Sequence, residues 1–299
     1  MEKGMRIAVT GASGLVGSAL VPALKERGHQ VVRLVRRHPE TADEIAWDPV
    51  EGVLDVKSLE GVGAIVHLAG ENIGQRWSDS RRRAIRDSRV NGTRLVAETV
   101  AALESRPALL CASAVGYYGQ RGDAELTEEA SRGDGYLAEV VGAWESAADP
   151  ARDAGARVVH FRQAPIVAGS EGMLRRMLLP FRLGLGGRVG SGEQWWSWVT
   201  IDDVVSAYLL ALEMPFAGAY NLVAPEVVRN RDFVETLGDV LHRPTIFPLP
   251  GAAVRLVWGD MGEEMLLGGQ RAVPERLRAE GFEFAYPSLR QALAHVLRG

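Results

Sequence analysis

Lysine is nearly absent from this chain. Of 34 basic residues in 299, only Lys3, Lys25 and Lys57 are lysines. Chemistry that needs a lysine ammonium is excluded from everything after position 57. Cysteine is scarcer still. Cys111 stands alone, which excludes an internal disulfide framework and a cysteine-clustered zinc site. No apolar run reaches the length needed to cross a bilayer, and the N-terminus lacks the pattern of a secretory signal. A cytoplasmic protein without a membrane partner is expected. The six histidines are scattered and form no HExxH pattern, so no metal site is expected. A formal net charge of −4 argues against a nucleic-acid partner. With 46% hydrophobic and 24% charged residues, the chain has the composition of a globular protein.

Short apolar runs alternate with helical patterns through the first half. Strands are expected at Arg6–Val9, Val31–Val35, Ala64–Leu68, Ala108–Ala112 and Arg157–Phe161. Between them, apolar residues recur at helical spacing, as in Leu15, Ala19 and Ala23. This alternation predicts an α/β fold with a doubly wound parallel sheet covered on both faces. Beyond about Gly169 the rhythm changes, and glycine- and proline-rich segments such as 184–187 and 248–250 read as loops. The expected division is a nucleotide-binding core over 1–168, with later segments returning to its sheet. A smaller substrate-side lobe and a C-terminal helical segment fill most of 169–299.

The segment Val9-Thr10-Gly11-Ala12-Ser13-Gly14-Leu15-Val16-Gly17 follows an apolar strand and opens a helix. Its GxxGxxG spacing is a relative of the dinucleotide fingerprint, in the required strand–turn–helix context. Gly11 permits a tight turn, Gly14 lets backbone approach a pyrophosphate, and Gly17 lets helix and strand pack closely. The helix start supplies unpaired N–H donors for the anion. Gly11, Ser13, Gly14, Leu15 and Val16 are therefore cofactor-binding candidates. Pro22 conflicts with the helix, and a slight kink is expected rather than its loss.

The end of the second strand reads Val35-Arg36-Arg37-His38. An NAD site wants a carboxylate there for the ribose hydroxyls, whereas two guanidiniums suit a 2′-phosphate. Arg36 and Arg37 thus point to NADP(H).

Further segments carry a family resemblance: His67-Leu68-Ala69-Gly70-Glu71-Asn72, Ser88-Arg89-Val90-Asn91-Gly92-Thr93 and Ser113-Ala114-Val115-Gly116-Tyr117-Tyr118-Gly119. Two more are Leu179-Pro180-Phe181-Arg182 and Gly190-Ser191-Gly192-Glu193-Gln194-Trp195-Trp196-Ser197-Trp198. With Thr10–Gly17 and the tail motif Pro274-Glu275-Arg276-Leu277, the whole chain resembles the extended short-chain dehydrogenase/reductase superfamily. It looks most like the atypical epimerase-like branch, whose C-terminal segment is a domain of unknown function. The resemblance implies a Rossmann fold with strand order 3-2-1-4-5-6 and a small substrate-side lobe. It places Leu68, Ala69 and Gly70 against the cofactor, brings Arg89 to reach it, and runs Ile166 beside the nicotinamide. It also implies a homodimer.

The superfamily's usual Tyr-x-x-x-Lys pair is missing. In Gly135-Tyr136-Leu137-Ala138-Glu139-Val140-Val141-Gly142-Ala143-Trp144-Glu145, one register pairs Tyr136 with Val140 and the other Leu137 with Val141. An unassisted tyrosine, with a pKa near 10, is a poor base at neutral pH. Ser113 and Tyr117, just past the expected fifth strand, remain as catalytic candidates. Ser113 would polarise a substrate carbonyl or merely cap a turn; Tyr117 and Tyr118 are open between packing and chemistry. Trp195, Trp196 and Trp198 would roof a pocket or pack between lobes. Arg81–Arg83 would be a solvated helix face or a cationic rim. Two functions fit: an NADP(H)-dependent oxidoreductase or epimerase-like enzyme acting on a small molecule, or a non-catalytic NADP(H) sensor acting through a partner.

Overall fold

The computed structural model describes residues 4–169 and 171–298. Its centre is an eight-stranded sheet built from β1 (Arg6–Thr10), β2 (Gln30–Val35), β3 (Glu44–Asp48), β4 (Val53–Leu54), β5 (Ala64–His67), β6 (Ala108–Ala114), β7 (Val158–Gln163) and β8 (Gly218–Leu222). The spatial order is β8-β7-β6-β5-β1-β2-β3-β4. Every neighbouring pair is parallel except the β3–β4 hairpin at one edge. The sheet order reverses beside β1, the point at which open α/β sheets bind ligands at their strand ends.

All five strands expected from the sequence are present. The sequence reading places no strand at β3 or β4, and β8 lies in a later segment that joins the sheet. β3 reads Glu-Ile-Ala-Trp-Asp, with charged ends that hide a strand, and β8 contains only three apolar residues in five.

Strand alternation divides the core in two. Ile7 and Val9 face α1 (Leu15–Glu26) and α4 (Ile201–Glu213), packing with Leu20, Leu24, Val204 and Tyr208. Ala8 faces the opposite layer, with Val96, Ala97 and Val100 of α2 (Asp79–Ala102). Each fully buried Leu or Val contributes roughly 1.5–3 kcal/mol of transfer free energy. Helix α1 runs continuously through Pro22. Ser78 caps α2 by accepting the Arg81 N–H at 3.2 Å, and Thr200 caps α4 by accepting from Asp203 N–H.

A third core cluster lies outside the sheet. There Leu174, Leu178 and Phe181 meet Trp196, Trp198, Phe233, Leu237 and Leu293. Trp196 and Trp198 are core residues of this lobe. The C-terminal segment also returns to the sheet domain. Met261 joins Trp77, Ile85 and Val140, and the Glu264 carboxylate accepts the Tyr136 and Leu137 N–H groups at the start of α3 (Tyr136–Ser146). No described helix is long and apolar enough to span a membrane.

Candidate functional site

The β1–α1 turn is shaped by its glycines. Gly11 has φ +65°, and a Cβ there would lie 2.8 Å from the Leu68 carbonyl carbon. A Cβ at Gly17 would meet Gly11 O at 2.3 Å. Gly14 differs, since a Cβ there would meet only Gly11 O, at 3.4 Å. The protein's own packing therefore does not require glycine at 14. Gly14 begins α1 with no side-chain cap and no acidic residue in the first turn. The first N–H groups of Leu15 and Val16 are left for an anion. Ser13 is exposed at the same mouth, and Leu15 and Val16 are half-buried there.

Thr10 ties this turn to the next strand. Its Oγ1 accepts the Leu68 and Ala69 N–H groups at 3.0 and 3.2 Å and contacts His67 Nδ1 at 2.8 Å. With both acceptor positions filled, the hydroxyl must donate to Nδ1. That places the His67 proton on Nε2, which is buried without a hydrogen-bond partner among the described residues. Burial pushes the His67 pKa down to about 4, so the ring is neutral and structural. Leu68 and Ala69 are half-buried and Gly70 is exposed, all held in one short loop against Gly11.

Arg89 enters the same region from α2. Its Nη1 donates to the carbonyls of Glu71 and Ile85 at 3.0 and 3.1 Å, and its guanidinium lies 5.1 Å over the Trp144 ring. A Cβ at Gly70 would lie 3.4 Å from Arg89 Nη2, so the guanidinium passes directly beside Gly70. Burial lowers its pKa to about 10, which keeps it charged at neutral pH. At the end of β2, Arg36 is exposed and has no hydrogen bond or ion pair among the described residues. Arg37 is instead clasped by Glu44, with Nη1–Oε2 2.9 Å and Nη2–Oε1 2.7 Å. Ile166 sits half-buried opposite Val199 in a short parallel pair.

The segment that should hold a tyrosine–lysine pair has a definite register. A Cβ at Gly116 would lie 3.4 Å from Leu137 Cβ and 3.9 Å from Val141 Cγ2. Leu137 and Val141 thus face the end of β6. Tyr136 points elsewhere. Its hydroxyl donates to Arg82 O at 2.7 Å, and its ring packs on Trp77 at 5.0 Å.

Ser113 is buried on β6, and its Oγ donates to Glu145 Oε1 at 2.6 Å. Its proton is given to this carboxylate, and the turn after β6 has no side-chain cap hydrogen bond. The same carboxylate receives Arg162 Nε at 2.9 Å and Nη2 at 2.8 Å, with side-chain exposures of 6% for Arg162 and 13% for Glu145. Burial alone would raise the Glu145 pKa, but the Arg162 hydrogen bonds and charge outweigh it and hold the carboxyl below its ordinary range. Arg162 Nη1 donates to Tyr118 Oη at 3.0 Å, and that hydroxyl donates to Asn221 Oδ1 at 2.6 Å. Burial pushes the Tyr118 pKa up to about 12, so the hydroxyl stays protonated at neutral pH. Tyr117 is half-buried, with the Arg162 guanidinium 3.5 Å from its ring centroid.

Sequence reasoning missed Glu44, Glu145, Arg162 and Glu264. For Arg162 a signal existed: an arginine inside the apolar strand Val158–Gln163 needs a buried anionic partner. The Arg81–Arg83 run is not a free face, because Arg81 pairs with Glu71 at 2.9 Å and Arg82 pairs with Asp260. Trp195 is held between Arg229 and Arg271, with its Nε1 donating to Asp123 at 2.7 Å. Among the described residues, no group of three or more His, Cys, Asp or Glu side chains gathers as for a metal ion.

Residues 7–223 match the NAD dependent epimerase/dehydratase family, and residues 249–296 match a domain of unknown function (DUF1731). The chain is 42% identical over 292 residues to the epimerase family protein MT2273 of Mycobacterium tuberculosis, covering 97% of each chain. It is similar to the crystal structure of human epimerase family protein SDR39U1 (isoform 2) with NADPH. That match has a TM-score of 0.88 and 34% identity, covering 99% of this chain and 100% of that one. It is also similar to the nucleoside-diphosphate sugar epimerase from Corynebacterium glutamicum, at TM-score 0.83 and 37% identity, covering 99% of this chain and 58% of that one.

Proposed function

The chain belongs to the NAD dependent epimerase/dehydratase family, and from that premise we propose that it binds NADP(H) and acts as an oxidoreductase or epimerase-like enzyme on a small molecule. The observation that carries the reading is the uncapped start of α1 behind Gly14, with the exposed Arg36 guanidinium, which has no partner among the described residues, at the end of the adjacent strand. Those groups fit a dinucleotide bearing a 2′-phosphate. The helix start would hold the pyrophosphate, and Arg36 with Arg37 the 2′-phosphate. Leu68, Ala69 and Gly70 would take the adenosine side, with Arg89 beside them. NADPH in the human relative's structure supports the same choice. The acidic net charge of −4 favours a small-molecule ligand over nucleic acid. A cytoplasmic homodimer completes the proposal, to be tested by light scattering and fractionation.

When bound, the nicotinamide supplies hydride transfer. The protein's part differs from a tyrosine–lysine relay, because Leu137 and Val141 are apolar. Ser113 keeps its lone pairs free to accept a hydrogen bond from a substrate hydroxyl, while Glu145 fixes its rotamer. The low pKa of Glu145 makes it an orienting carboxylate rather than a base. Tyr117, resting on Arg162, borders the same strand end. Sugar nucleotides are a first substrate class to test, given the epimerase from Corynebacterium glutamicum.

The test loads the chain with NADPH and follows nicotinamide absorbance against a panel of carbonyl compounds and sugar nucleotides. Turnover that falls in Ser113→Ala supports the enzyme reading. Silence across the panel, with NADPH still bound, favours ligand sensing without turnover. That second reading draws on one observation, the apolar Leu137 and Val141 at the strand end.

A further inference from the structure

Glu44 lies at the start of β3, in register with Arg33 of β2, and its side chain is only 1% exposed. Both carboxylate oxygens are filled. Oε2 accepts Arg37 Nη1 at 2.9 Å and the Glu40 N–H at 2.8 Å. Oε1 accepts Arg37 Nη2 at 2.7 Å and pairs with Arg33 Nη2 at 3.1 Å. Arg37 Nη1 also donates to His38 O at 2.9 Å and pairs with Glu40 at 3.2 Å. The hydrogen-bond capacity of Nη1 is therefore spent. What remains on Arg37 is its Nε–H and the second Nη2 N–H. In a planar guanidinium these two lie side by side, forming one intact bidentate edge.

A carboxylate that already accepts three hydrogen bonds and faces the Arg33 guanidinium is poorly disposed to accept the ribose hydroxyls of NAD. Its placement also fixes a long, rotamer-rich side chain whose free edge matches a phosphate. With the Arg37 side chain 49% exposed, this pair adds little stability by itself, and its clear effect is to hold the guanidinium in one orientation.

We propose that Glu44 is the positioning residue for cofactor specificity: by clasping the outer fork of Arg37 it aims the remaining edge, together with Arg36, at the 2′-phosphate of NADP(H). This rests on the NADP(H) reading above and adds the residue that enforces it. Glu44 touches no cofactor atom in this account; it acts through Arg37.

The test is equilibrium titration of NADPH and NADH on the wild type and on Glu44→Gln, with the thermal midpoint recorded for each. Gln replaces one acceptor oxygen with a donor facing Arg37, so the clasp opens. NADPH affinity should fall about tenfold while NADH affinity stays within about twofold, because preorganisation is lost only at the phosphate. Glu44→Gln binding NADPH as tightly as the wild type, or more tightly, overturns the proposal and makes Glu44 a mere charge balance. If Glu44→Gln does not fold, Arg37→Lys decides. It keeps the charge but cannot bridge Glu44 and phosphate with two edges, so retained NADPH preference there refutes the proposal. A wild type that does not distinguish the two cofactors overturns the cofactor reading and this inference together. A wild type that prefers NADPH, with Glu44→Gln equally selective, overturns only the role of Glu44.

Discussion

Replacing Glu145 by alanine strips the buried Arg162 of its counter-ion. Two guanidinium donors, Nε and Nη2, lose acceptors at 2.9 and 2.8 Å, and Ser113 loses the acceptor at 2.6 Å. Only the Nη1 bond to Tyr118 remains strong. Breaking one half of a buried ion pair costs about 3–5 kcal/mol. Counting three charge-assisted hydrogen bonds at about 1.5 kcal/mol each gives about 4.5 kcal/mol, inside the same range. The double replacement Glu145→Leu with Arg162→Met removes both charges, and its cost should be smaller than that of Glu145→Ala, about 0–2 kcal/mol. Urea unfolding followed by circular dichroism measures this directly. With m near 3 kcal/mol per molar for a chain of this size, Glu145→Ala should lower the midpoint by about 1–2 M. A loss under about 1 kcal/mol for Glu145→Ala, or a double variant worse than the single, would refute the claim that this network is charged and sealed.

The remaining expectations concern pH, the glycine turn and the lobe contact. Burial holds His67 and His160 down at about 4, so below about pH 6.5 the unfolded chain takes up protons that the folded chain refuses. Stability should be full above that pH and fall by about 2 kcal/mol per histidine on going to pH 5, while a flat unfolding profile over that window contradicts the neutral, buried rings. Gly17→Ala drives a Cβ against Gly11 O and should cost about 1–3 kcal/mol. Gly14→Ala should keep its thermal midpoint yet weaken dinucleotide binding; unchanged binding would disconnect that turn from the ligand. Glu264→Ala removes the acceptor for two N–H groups at the start of α3 and should destabilise by about 1–2 kcal/mol. Faster proteolysis of the 249–296 segment would accompany it, and protection equal to the wild type would deny that this contact docks the segment.

The readable parts of this molecule were those governed by local pattern. Strands β1, β2, β5, β6 and β7 each carry a run rich in apolar residues, and the β1–α1 turn carries its glycines at fixed spacing. What escaped depended on pairing across distance. Glu44 looks like a loop acid until β3 places it beside Arg33 and Arg37. Glu145 and Arg162 are ordinary charges in sequence and become one buried unit only when α3 packs on β6 and β7. The choice between Tyr136 and Leu137 as the residue facing the strand end was undetermined by spacing, because both registers put apolar residues four positions on. It is decided by Gly116, whose missing side chain lets Leu137 and Val141 close on the turn after β6. The lysine shortage was visible at once, and its consequence is local: the position facing the strand end is valine.

The most direct test of the central claim is paired calorimetric titration with NADPH and NADH of the wild type and Arg36→Ala. NADPH should bind the wild type at least about tenfold tighter than NADH, a difference of about 1.4 kcal/mol. In Arg36→Ala that preference should shrink markedly, with NADH affinity unchanged and the Arg37 share retained. Equal affinities in the wild type, or a preference that survives Arg36→Ala intact, would contradict that claim.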